Sequence, residues 1–129
     1  PTLIKTAGAG AAGALVDTAP LAQFISSASG YVDEYTKKYG TGPGPYGTYN
    51  YDGVGALAAA ITKANSADPA KIIDAMHNLG DYQGVTGTFH FDKNGDRQPV
   101  DYIVITIQDG KFVPAYEKNS SGQWEKAGS

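Results

Sequence analysis

The chain has 129 residues, is 41% hydrophobic and 18% charged, and carries a formal net charge of -3 with a pI near 5.2. That length suits one domain. The mildly acidic balance offers no cluster of Lys and Arg for phosphates, so nucleic acid is not expected as a partner, and no apolar run approaches the roughly 18 residues of a membrane-spanning helix.

The opening PTLIKTAGAGAAG is too rich in Gly for a stable free helix, because each interior Gly costs about 1 kcal/mol relative to Ala. It reads as a short helical or irregular approach to a strand, GALVDTAP, which Pro20 ends. Between Ala22 and Tyr39 helix develops late, with Tyr31, Val32, Tyr35 and Tyr39 on one stripe. Lys37 and Lys38 followed by Gly40 are helix-ending chemistry. GTGPGP can only be a loop. In YNYDGVGALAAAITKAN, Val54, Leu57, Ala58 and Ile61 mark the expected buried face of a helix. SADPAKIIDAMHNLG predicts another, with Asp68 as N-cap, Pro69 at the first helical position, Gly80 as the stop and Ile72, Ile73, Met76 and Leu79 as the buried stripe.

The period then changes to two. VTGTFHFD alternates, and DYIVITIQDGKFVPAY reads as two strands joined by Asp109-Gly110, a hairpin signal. YIVITI is apolar on both faces and is expected to be covered on both sides. The tail EKNSSGQWEKAGS is polar apart from Trp124 and is expected to be loosely held. The leading strand has no partner nearby in sequence, so the chain reads as a piece of a larger fold.

Candidate chemistry centres on DKNGD, residues 92–96. A calcium loop would take Asp92, Asn94 and Asp96 at positions one, three and five, but Gly95 falls at four, Arg97 at six and Ile103 at twelve. The spacing fits a turn better, with Asn94 or Gly95 at positive φ and Asp side chains accepting from nearby amides. Nothing marks Asp92 or Asp96 as a desolvated acid–base pair. His77 reads as a helix-surface residue, and His90 points away from Phe89 and Phe91. They lie on different elements without ligand spacing, so no metal is expected. The absence of Cys excludes disulfides and a cysteine nucleophile. GAGAAG matches a phosphate-binding GxGxxG at Gly8, Gly10 and Gly13, but its strand follows instead of preceding it.

Taken in order, GALVDT, YVDEYTKKYG, GPGPYGTYNYDGVGALAAAI, DPAKIIDAMHNLG, YQGVTGTFHFDKNGDR and DGKFVPAY resemble the C-terminal third of the type I periplasmic solute-binding proteins of ABC transporters, the leucine/isoleucine/valine-binding family. The resemblance implies an α/β fold of two lobes, with parallel-type sheets flanked by helices and three hinge crossings, closing on a free amino acid. On this frame residues 1–14 and 98–129 lie near or in one lobe and the hinge, and 15–97 mainly in the other. Tyr46, directly after Pro45, matches the family's aromatic position facing the cleft. Tyr49 is the weaker candidate, one turn on. Asp92, Gly95 and Asp96 would shape the last crossover.

The implied protein is a receptor without catalysis or cofactor, periplasmic or extracellular and membrane-tethered, that hands a hydrophobic or small amino acid to an ABC permease. The groups for the ligand's charged ends would come from earlier chain regions. A chain opening at Pro1 in mid-pattern is expected to be accompanied by its N-terminal segment as a separate chain, since Asx-Pro bonds are fragile. The rival readings are a sensory module of the same fold for amino acids, amides or related carboxylates, and an enzyme using Asp92 or His90.

Overall fold

The computed structural model describes residues 2–119 and 121–128, so Pro1 and the expectation attached to it lie outside the described residues. The chain divides into two compact units, one from residues 1–20 with 101–129 and the other from residues 21–100.

The terminal unit begins with helix α1 (Thr2–Ala7), one turn of 3-10 helix at Gly8–Ala11, and strand β1 (Leu15–Thr18). Its remaining strands are β5 (Ile103–Gln108), β6 (Lys111–Lys118) and β7 (Trp124–Lys126), giving an antiparallel sheet in the order β1-β5-β6-β7. The expected lack of a partner for β1 is thereby corrected: Thr18 lies opposite Ile103, 85 residues on, beyond the reach of local pattern reading. By its contacts this strand groups with residues 101–129. Every pairing among the described residues is antiparallel; the parallel-type sheets implied for the whole fold are not contained here.

β5 and β6 meet at Asp109 (φ 50) and Gly110 (φ 70), the two left-handed residues a type I′ hairpin requires. Ile103, Ile105 and Ile107 are buried, whereas Val104 and Thr106 on the other face are only half-buried, so β5 is covered fully on one side. The register shifts between Val104 and Ile105, which face Tyr116 and Pro114, so the proline stands at a bulge where its missing N–H costs least. Among the described residues of the tail, Trp124–Lys126 pair with β6, which its polarity did not suggest. The Asn119 side-chain oxygen accepts from the amides of Ser121 and Gln123, both at 3.0 Å, and turns the chain so that Trp124 pairs opposite Lys118.

The middle unit holds helices α2 (Ser29–Tyr39), α3 (Gly47–Ala64) and α4 (Pro69–His77) with strands β2 (Tyr82–Gly84), β3 (Gly87–Phe91) and β4 (Arg97–Gln98). Gly40 ends α2 at φ 70 and its N–H bonds to the Thr36 carbonyl. Asp68 caps α4 by accepting from the Lys71 amide at 3.1 Å. The strands form an antiparallel sheet in the order β2-β3-β4.

One buried carboxylate sets how α3 meets this sheet. Asp52, 2% exposed, accepts from the amides of Val85 (2.8 Å) and Thr86 (2.9 Å) and from the Thr86 hydroxyl. The approach is close enough that a Cβ at Gly84 would overlap the carboxylate, and one at Gly55 would overlap the Tyr82 hydroxyl. α3 therefore turns Thr48, Asp52, Ala56 and Ala60 inward. At 3.6 residues per turn, Val54, Leu57, Ala58 and Ile61 centre on the opposite side. The expected buried face is thus the outer one, with Val54 68% exposed. In α4 the packing residue is Ala75, while Ile73 of the expected stripe is 59% exposed.

Asp52→Ala strips the acceptor from three donors around the β2–β3 turn, and each donor left unsatisfied costs about 1 kcal/mol or more. The expected loss is about 3 kcal/mol, read as a lower midpoint in urea unfolding, with Gly84→Ala also destabilising by displacing the same carboxylate.

Candidate functional site

The loop at 40–45 delivers the chain to α3 at Tyr46, whose carbonyl accepts from the Asn50 amide at 3.0 Å while its side chain makes no cap bond. The ring is 62% exposed, so Tyr46 stands at the helix entrance and is not absorbed by packing within its unit. Gly47 behind it is hemmed in: a Cβ there would lie 3.0 Å from Pro43 Cβ and 3.3 Å from the Tyr31 hydroxyl.

Tyr49 is placed differently. It is half-buried, and the Arg97 guanidinium lies 5.5 Å from its ring centroid and 4.1 Å from that of Phe89. Arg97 also donates through Nη1 to the Thr86 hydroxyl at 2.7 Å and through Nη2 to the Thr86 carbonyl at 3.3 Å. Since that hydroxyl donates to Asp52, a polar chain runs Arg97 to Thr86 to Asp52 across the sheet and back to α3. Neither Asp52, Thr86 nor Arg97 was marked by the sequence reading. The available signal was a lone Asp in an Ala- and Gly-rich helix, a setting that demands a partner if buried.

A cleft of about 450 Å³ opens between α2 and α3, lined by Tyr31, Tyr35, Tyr39 and Tyr51 with Glu34 and Lys38 at its edge. Successive rings stand 5.8 Å (Tyr31–Tyr35), 4.5 Å (Tyr35–Tyr39) and 4.8 Å (Tyr31–Tyr51) apart, within the range of favourable aromatic pairs. Burial, then the neighbouring phenols, pushes the Tyr31 hydroxyl pKa up. Sequence periodicity identified three of these rings; Tyr51 comes from α3 and escaped it. Tyr46 and Tyr49 do not line this cleft. A smaller apolar groove of about 240 Å³ runs along α4, bounded by Leu57, Ile72, Ile73, Met76 and Phe91.

Residues 92–96 form the expected turn, with the positive φ at Gly95 (86°). Asp92 Oδ1 accepts from the amides of Asn94 (2.8 Å) and Asp96 (3.0 Å), and the main chain closes with Asp92 N–H donating to the Asp96 carbonyl at 2.9 Å. The Asp92 carboxyl is held below its ordinary value, first by the Asp96 amide and then by that of Asn94. Asp96 contributes backbone here, not a second acid. His90 Nδ1 lies 3.1 Å from Asp81 Oδ1 at the surface, on the face opposite buried Phe89. Among the described residues no group of three or more His, Asp or Glu is placed to hold a metal ion.

A family model described as periplasmic binding protein matches residues 1–111. Among solved structures, a leucine-binding protein from Thermotoga maritima superposes with a TM-score of 0.81 at 27% identity, over 95% of this chain and 35% of that one. An ABC transporter substrate-binding protein from Desulfitobacterium hafniense is 31% identical with a TM-score of 0.72, over 84% of this chain and 32% of its own; its complex with Leu is 30% identical with a TM-score of 0.69, over 81% and 32%. The chain thus spans about a third of the length of these structures.

The depressed Asp92 pKa fixes a sign. The turn's electrostatic support is complete above the ordinary aspartate value of 3.8 and is lost as pH falls through the lower native one. In an acid titration followed by NMR, the Asn94 and Asp96 amides are expected to move together, with a midpoint below that ordinary value.

Proposed function

The chain belongs to the periplasmic binding protein family, and from that premise we propose that it forms part of the substrate-binding component of an amino-acid ABC transporter. The receptor captures a free hydrophobic or small amino acid in an open cleft, and ligand shifts the population toward a closed form read by the permease. What carries the reading is likeness over nearly the entire chain to a leucine-binding protein. The exposed ring of Tyr46 supports its assignment as an apolar contact for the ligand side chain. Tyr49, gripped by Arg97, supports the first turn of α3 and is the lesser contact.

Asp92, Gly95 and Asp96 are assigned to the crossover. The chain passes from the middle to the terminal unit at residues 100–101, shortly after the turn they build. A further partner is the rest of the receptor, and the exposed outer stripe Val54, Leu57 and Ile61 offers it apolar surface. Location is periplasmic or extracellular with a membrane tether; no helix among the described residues is long and apolar enough to cross a membrane. The enzyme reading gains nothing from the structure, since Asp92 spends its carboxylate on backbone amides.

Calorimetry of the whole receptor against the twenty amino acids tests this. Heat is expected with one or more aliphatic or small amino acids. Tyr46→Ala is expected to raise the Kd about tenfold, equivalent to about 1.4 kcal/mol, without moving the unfolding midpoint, because the ring packs little within its unit. No heat with any of the twenty defeats the amino-acid reading.

A further inference from the structure

We infer that Arg97 is a positioning residue, tying the segment by which the chain leaves the middle unit to the first turns of α3 and so fixing where Tyr46 is presented; this rests on the ligand-binding reading above. Arg97 and Gln98 are the last paired residues of the middle unit, opposite Phe91 and His90, and only Pro99 and Val100 separate them from the terminal unit.

From that place the guanidinium holds α3 at two points three residues apart. It lies against the Tyr49 ring directly, at 5.5 Å, and reaches Asp52 through the Thr86 hydroxyl. A threonine hydroxyl has one proton. With that proton given to Asp52 Oδ2, its lone pair is turned toward Arg97 Nη1, so the chain of bonds has a single sense. Phe89, 4.1 Å from the guanidinium centre, adds a second ring contact. A lysine keeps the charge but has neither the planar pair of donors for Thr86 nor a flat face to set against a ring. Tyr46 stands one turn before Tyr49 on the same helix entrance. Any change at residues 97–101 during lobe closure therefore reaches the ligand-facing end of α3 through this side chain.

The test uses the 129-residue chain and the whole receptor carrying it, each as wild type and with Arg97→Lys, and the receptor also with Tyr49→Leu and the double change. By hydrogen exchange on the 129-residue chain, Arg97→Lys is expected to speed exchange at Gln98, paired opposite His90, about tenfold, while Ile105 and Ile107 in β5 keep their rates. An unchanged rate at Gln98, or an equal acceleration in β5, overturns the inference. In the receptor, Arg97→Lys is expected to raise the Kd for its best amino acid about tenfold, and its effect combined with that of Tyr49→Leu is expected to fall short of the sum of the two, since both loosen the contact between Arg97 and that ring. A receptor that binds its amino acid equally well with Arg97→Lys, or in which the two changes add fully, overturns the inference alone. A wild-type receptor that binds no amino acid overturns the receptor reading, and the exchange experiment still decides whether the tie exists.

Discussion

The middle unit is organised by one buried charge. Asp52 sits in an 18-residue helix whose inward face otherwise offers mainly small side chains, and it meets the donors of the β2–β3 turn. An ionised carboxylate away from water is tolerable only when hydrogen-bonded by groups that would otherwise be unsatisfied themselves. Here both needs are met at once: the turn amides of Val85 and Thr86 have no ladder partner to compete for them. Rotation of α3, closeness of Gly84 and Gly55, and the position of Arg97 are all consequences of that pairing.

This explains which parts of the fold were legible. Caps and turns were, because their chemistry is local: Gly40 ends α2, Asp68 and Pro69 start α4, Asp109 and Gly110 make the hairpin, and Gly95 takes the positive φ in its turn. The face of α3 was not. Amphipathic reasoning assigns the larger apolar residues to the interior, yet Ala56 and Ala60 are buried while Val54 points outward, because a polar contact and close glycine packing fixed the rotation. The partner of β1 was also out of reach, since antiparallel pairing across 85 residues leaves no mark in a local window.

The candidate site shows the same division. Tyr46 was nominated through a family pattern and the acidic turn was read from turn chemistry; the structure leaves Tyr46 exposed and the turn closed on Asp92. The residues that hold α3 to the sheet, Thr86 and Arg97, carry no spacing signature, because their geometry arises only once α3, β3 and β4 have met. Tyr51 likewise joins the tyrosine cleft from a second helix, so no single-helix period could include it.

The β1–β5 pairing has a consequence for how the molecule comes into being. Synthesis delivers β1 before the whole of residues 21–100, and β5 only after them. Until then the β1–β5 ladder cannot form, so the middle unit can condense during translation before that pairing closes. Closing a gap of that size is entropically milder than its length suggests, because the cost grows only with the logarithm of the loop, and a middle segment already folded shortens the effective gap further. Assembly of these two units is thereby ordered, with the middle one able to close before β1 and β5 meet.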